Sequence, residues 1–222
     1  MGTTLELSAS DGFRVSAYRA DPVGTPRGGI VIAQEIFGVN THIRAVCDGF
    51  ATDGYVAVAP ALFDRGERGV DIGYTERDVT RGRDLKGRSP LEPALLDLAA
   101  ARDVAKSAGA VAVIGYCWGG YLAWMASARL DGLACAVAYY GGGMTDAIDV
   151  KPRCPVMAHF GERDAGIPVA GVEKLEAAHP DVQVFFYAAG HGFNCTERAS
   201  YDAAAAAQAR ERTIRFLRLH VG

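Results

Sequence analysis

Val111-Ala112-Val113-Ile114-Gly115-Tyr116-Cys117-Trp118-Gly119-Gly120 decides how this chain is read. Its four leading apolar residues predict a strand buried on both faces. Glycines two before and two after Cys117 let that strand turn sharply into a helix, raising the Cys117 side chain on a strained backbone. In the pattern G-x-S-x-G a serine holds this place. A thiol there points to acyl transfer with sulfur as the attacking atom.

Two more apolar runs each end on a residue of matching chemistry. Pro155-Val156-Met157-Ala158-His159-Phe160 delivers Gly161-Glu162-Arg163-Asp164, and Val182-Gln183-Val184-Phe185-Phe186-Tyr187 delivers Gly190-His191-Gly192-Phe193. The order Cys117, Asp164, His191 is nucleophile, acid, base. That is the α/β-hydrolase order, and neither the chymotrypsin nor the subtilisin one.

Together with Gln34-Glu35-Ile36-Phe37-Gly38-Val39-Asn40 and Ala189-Gly190-His191-Gly192-Phe193, these segments resemble the dienelactone hydrolase family over most of the chain. The resemblance implies an α/β-hydrolase fold and a cofactor-free hydrolase. Its implied substrate is a carboxymethylene butenolide (4-carboxymethylenebut-2-en-4-olide, a dienelactone), opened to maleylacetate in aromatic-compound degradation. Esterases of other substrates belong to the broader family.

The chain has 222 residues, half of them hydrophobic and 22% charged, with a net charge of −3. That length suits a single α/β domain over residues 1–222, burying about 70% of its unfolded surface. The near-neutral balance argues against nucleic acid as a partner. Met1-Gly2-Thr3-Thr4-Leu5-Glu6 has no basic region followed by an apolar stretch, and no run nears the roughly 18 apolar residues of a membrane span, so a cytoplasmic location is expected. Five cysteines (47, 117, 135, 154 and 195) without a C-x-x-C pair predict free thiols rather than a disulfide framework or thiolate zinc site. No exposed apolar helix face stands out, and a monomer is expected.

Leu5 to Ala20 alternates around Ser10-Asp11-Gly12 as an edge hairpin would. From Gly29 onward short apolar runs alternate with helical stretches: Ile30 to Ala33, Thr41 to Ala51, Tyr55 to Ala59 and Leu91 to Ser107. The strand into Cys117, a helix through Arg129 and the run Leu133 to Tyr140 follow, then the two strands already described and a last helix from about Ser200 to Leu219. This alternation predicts a mainly parallel central sheet with helices on both faces. Asp64 to Arg88 breaks it, with six arginines (65, 68, 77, 81, 83 and 88) among acids and no apolar period. It reads either as a solvated insertion with self-cancelling charge or as a cap whose arginine captures a substrate carboxylate.

In the expected chemistry, the helix starting at Trp118 turns its positive end toward the sulfur, His191 accepts the thiol proton and Asp164 holds the imidazole. Backbone N–H groups of Trp118 and Ile36 would form the oxyanion hole. The resemblance further implies that Glu35 deprotonates the cysteine when substrate binds. It also implies two arginines on the substrate carboxylate, one following the early strands and one four residues past the catalytic histidine. Here that second position is Cys195, and Arg198 is the nearest substitute. For the first, Arg77, Arg81 and Arg83 remain open. Tyr140, in Tyr139-Tyr140-Gly141-Gly142-Gly143, is expected to line the pocket at a strand-ending turn.

Other histidines give less. His159, inside an apolar run, reads as a buried, hydrogen-bonded residue. His42, His179 and His220 sit on predicted helices or their ends and form no constellation. His191 with Cys195 lacks a third ligand, so no metal site is expected. Two alternatives stand beside the dienelactone hydrolase: an esterase or thioesterase with the same triad, and a non-catalytic receptor on the hydrolase fold.

Overall fold

The computed structural model describes residues 2–222. An antiparallel hairpin, β1 (Thr3–Ser8) and β2 (Arg14–Ala20), is followed by β3 (Gly28–Ala33), α1 (Thr41–Thr52) and β4 (Tyr55–Pro60). Two helices come next, α2 (Glu76–Gly87) and α3 (Leu91–Ala105). The chain continues through β5 (Val111–Tyr116), α4 (Trp118–Arg129), β6 (Leu133–Tyr139), β7 (Val156–Gly161), α5 (Val169–Ala178), β8 (Gln183–Tyr187) and α6 (Ala203–His220).

All eight strands form one sheet in the order β1-β2-β4-β3-β5-β6-β7-β8. Pairing is antiparallel through β1, β2 and β4, and parallel from β4 onward. Every residue of β3, β4, β5 and β7 is buried. Helices cover both faces, which is why these strands are unbroken apolar runs rather than alternating ones. On one face lie α1 and α6, joined where Arg210 of α6 pairs with Asp53 and stacks over Phe50. On the other, α3 packs against α4, and α5 meets α4 where the His179 ring sits edge-on to Trp124 at 5.1 Å.

The predicted elements are present, with ends shifted by a few residues. The exception is Asp64 to Arg88, read as an insertion without apolar periodicity, which contains the helix α2. Thr75 caps this helix, accepting from the Asp78 N–H at 3.2 Å while the Asp78 carboxylate accepts from the Thr75 N–H at 3.1 Å. The helix has no apolar stripe because it buries only Gly82 and Leu85. A Cβ at Gly82 would stand 2.3 Å from the Ile36 carbonyl oxygen, so glycine lets α2 lie directly on the turn after β3. The same turn is tied to the segment by Ile72 N–H donating to Phe37 O at 3.1 Å and by the Phe37 and Tyr74 rings at 4.4 Å.

Among the described residues, no helix is long and apolar enough to cross a membrane. All five cysteines are free.

Candidate active site

In a parallel sheet, residues just past the strand C-termini collect along one edge, where open α/β folds bind ligands. Glu35 follows β3, Cys117 follows β5, Asp164 follows β7 and His191 follows β8.

Cys117 is the N-cap of α4 with φ 55° and ψ −114°, a left-handed backbone that costs a side-chain-bearing residue roughly 1–3 kcal/mol. Close contact at two glycines enforces it. A Cβ at Gly115 would stand 1.8 Å from the Gly119 carbonyl oxygen, and one at Gly119 would stand 2.1 Å from that of Ala33. The strand, the first turn of α4 and the end of β3 are therefore packed backbone to backbone, and the thiol sits half-buried at their junction.

The loops after β7 and β8 are zipped together. Glu162 N–H donates to Tyr187 O at 2.8 Å and Arg163 N–H to Ala189 O at 3.0 Å. This brings His191 Nδ1 to 2.6 Å from Asp164 Oδ2, while His191 Nε2 lies 3.1 Å from Cys117 Sγ. Burial works against a charged His191 ring, but the hydrogen bonds with Asp164 and Cys117 prevail and push it up to about 10. Burial likewise opposes an Asp164 carboxylate. The bond from His191 and the N–H groups of Gly166 and Ile167 nevertheless hold it below the usual carboxylate value.

A ring raised above its unfolded value of 6.5 stabilises the fold fully below that pH and loses the contribution as pH rises toward about 10. Asp164, depressed below 3.8, contributes above that value and stops doing so as pH falls through its lowered one. The pair should stabilise the fold most between about pH 4 and 6.5. Asp164→Asn is expected to weaken this dependence and lower the His191 titration midpoint, read from its imidazole proton resonances. An unchanged midpoint would mean that Asp164 does not charge the ring.

Tyr140, the other non-glycine residue with positive φ (38°), is fully buried and sets its ring edge-on to His191 at 5.2 Å. It backs the histidine, and its hydroxyl has no hydrogen-bond partner among the described residues. His159 is structural as expected, bonded to Tyr187 at 2.8 Å and Thr213 at 3.0 Å and pushed by burial down to about 3.

Ile36 N–H has no hydrogen-bond partner among the described residues. Trp118 is the first residue of α4, so its N–H also lies outside the helical ladder. Both expected oxyanion donors thus come from the backbone packed around Gly119.

Glu35 is fully buried and makes no hydrogen bond to Cys117. It accepts from Tyr74 Oη at 3.2 Å and from Arg198 Nη1 at 3.4 Å. Burial pushes its carboxyl up, against the pull of Arg198, His191 and Tyr74. Asn40 holds Tyr74 in turn, donating to its hydroxyl at 3.0 Å. Successive turns, Cys195 N–H to Gly192 O and Arg198 N–H to Cys195 O, bury the thiol and bring the Arg198 guanidinium back across Gly192.

Among the described residues, Arg77 and Arg81 make no hydrogen bond or ion pair to Cys117, Asp164, His191 or Glu35. Arg77 and Arg81 lie exposed on α2, and Arg81 pairs with Glu67. The register set by the Thr75 cap turns Gly82 toward the site instead, and Tyr74 is the segment's residue that touches Glu35. Sequence reasoning missed Tyr74. It also dismissed His42, which lies beside Glu35 and Cys195.

The sequence profile of the dienelactone hydrolase family matches residues 15–221. The chain belongs to that family. It is 36% identical to a Synechocystis protein named "Putative carboxymethylenebutenolidase", over 93% of this chain and 92% of the relative. It is 34% identical to the carboxymethylenebutenolidase of Pseudomonas putida, over 96% and 94%. The crystal structure of a "Putative Dienelactone Hydrolase" from Klebsiella pneumoniae superposes with a TM-score of 0.85 at 29% identity, covering 97% of this chain and 98% of that one. As a dienelactone hydrolase family member with the α/β-hydrolase fold, the chain is a hydrolase acting on ester or lactone bonds.

Proposed function

We propose that this family member hydrolyses small esters or lactones through a Cys117-His191-Asp164 triad, with an acidic lactone of the dienelactone type as substrate. The observation that carries this reading is the continuous line Asp164 Oδ2, His191 Nδ1, His191 Nε2, Cys117 Sγ, with gaps of 2.6 and 3.1 Å.

When substrate binds, Glu35 takes the Cys117 proton beside the charged His191 ring, and the thiolate attacks the ester carbonyl carbon. The Ile36 and Trp118 N–H groups stabilise the oxyanion, and loss of one such donor costs about 3 kcal/mol of transition-state stabilisation. As the tetrahedral centre collapses, the C–O bond breaks and the charged His191 ring gives its proton to the leaving oxygen. Water activated by His191 then cleaves the thioester, releasing the acid and restoring the thiol.

A substrate carboxylate would be received by Arg198. An anion on that guanidinium competes with its 3.4 Å contact to Glu35 and frees the carboxylate to turn toward the thiol, the role the family resemblance implies. The Pseudomonas relatives named carboxymethylenebutenolidase support the dienelactone reading.

Steady-state hydrolysis of a carboxymethylene butenolide beside a neutral aryl ester of similar size tests it. Wild type is expected to prefer the lactone, and Arg198→Met to raise KM for the lactone tenfold or more. The neutral ester should be little affected. Activity on the neutral ester alone would reject the acidic substrate. A second reading, an esterase for uncharged substrates, draws support from Cys195 at the family's arginine position and from Arg81 being paired with Glu67.

A further inference from the structure

Three side chains with metal-ligating atoms meet in the interior. A carboxylate oxygen of Glu35, a ring nitrogen of His42 and the Cys195 sulfur lie within 4.8 Å of one another, and all three residues are buried. The reaction proposed above uses neither His42 nor Cys195.

His42, on the first turn of α1, is only 5% exposed, and its Nε2 has no hydrogen-bond partner among the described residues. Its ring meets Tyr116 edge-on at 6.2 Å, an apolar contact that leaves the nitrogen unanswered. An unsatisfied buried ring nitrogen costs stability and calls for an occupant. Burial and the Arg198 charge push His42 down to about 4, so at neutral pH it carries the uncharged imidazole that ligates metals.

We propose that Glu35, His42 and Cys195 form a binding site for one thiophilic divalent cation of the zinc class. Thiolate, imidazole and carboxylate together suit zinc or cadmium, whereas calcium and magnesium take oxygen ligands. Zinc at about 2.0–2.3 Å from each donor requires donors roughly 3.5 Å apart, so donors up to 4.8 Å apart close by at most about 1 Å on binding.

No electron is transferred. The metal–sulfur bond forms as Cys195 releases its proton to solvent, and a protonated Glu35 would release one as well. Burial and the neighbouring Glu35 push the Cys195 thiol up to about 11, so affinity rises with pH through the neutral range. The bound ion takes Glu35 from Arg198. Slowed turnover would follow from this only through the role given to Glu35 above, whereas the binding itself does not rest on that reading.

The test uses Cd2+ with the Cys117→Ser protein, so that the thiol beside His191 cannot supply the sulfur. One equivalent is expected to bind with the ultraviolet charge-transfer band of cadmium–thiolate, more tightly as pH rises, and Zn2+ should displace it and raise the unfolding temperature. Adding Cys195→Ser should abolish the band. Adding His42→Phe, which keeps a ring against Tyr116, should weaken binding at least tenfold, with unfolding curves confirming that each variant is folded. If Cys195→Ser does not fold, His42→Phe alone decides. No thiolate band in the Cys117→Ser protein, a band that survives Cys195→Ser, or an affinity indifferent to His42→Phe would each overturn the site.

Discussion

Cys117→Ala is expected to lower kcat/KM for any ester substrate by about four orders of magnitude while leaving the unfolding temperature nearly unchanged. In the proposed mechanism the Cys117 sulfur bonds to the acyl carbon, and His191 without it has only water to activate. Removing the sulfur costs the fold little because the residue is half-buried, and alanine meets the same φ of 55° with the same strain. A folded variant that keeps wild-type hydrolysis would place the nucleophile elsewhere.

Gly115→Ala carries the largest expected effect on stability. Its Cβ would stand 1.8 Å from the Gly119 carbonyl oxygen and 2.2 Å from the carbonyl carbon. These are backbone atoms in the first turn of α4, so no side chain can rotate away and β5 must separate from the helix. Forced overpacking of this kind exceeds the usual 1–3 kcal/mol, and about 4 kcal/mol is expected. In a chain of this length that lowers the unfolding temperature by roughly 10 °C. Thermal unfolding followed by circular dichroism reads it directly, and a shift of a degree or two would show that the turn is looser than its packing implies.

The sheet and the triad candidates were legible because β5, β7 and β8 are apolar runs ending on glycine-bearing turns, and the candidate reacting residues stand at those ends. Chain order alone paired Asp164 with His191. The α2 helix was hidden for a physical reason. It buries two residues against one turn, so it needs no apolar period, and its only written sign is the Thr75-x-x-Asp78 cap. Without that helix the register of Arg77, Arg81 and Gly82 could not be read, and the arginines drew attention that belonged to Gly82 and Tyr74. Glu35 and His42 are near neighbours in the chain, but Cys195 comes from the loop after β8, and no spacing announces that meeting. Arg198 reaches Glu35 only because two successive turns fold the loop after His191 back on itself.

The central claim is that Cys117 carries the acyl group. Acid-quenching the protein during turnover of a slow aryl ester, then digesting it and weighing the peptides, tests this most directly. The account predicts one acyl adduct per chain, on the peptide containing Cys117, absent from Cys117→Ala and accumulating in Asp164→Asn if deacylation slows more than acylation. Hydrolysis that proceeds with the acyl group on another residue, or product forming at the wild-type rate in Cys117→Ala, would contradict it.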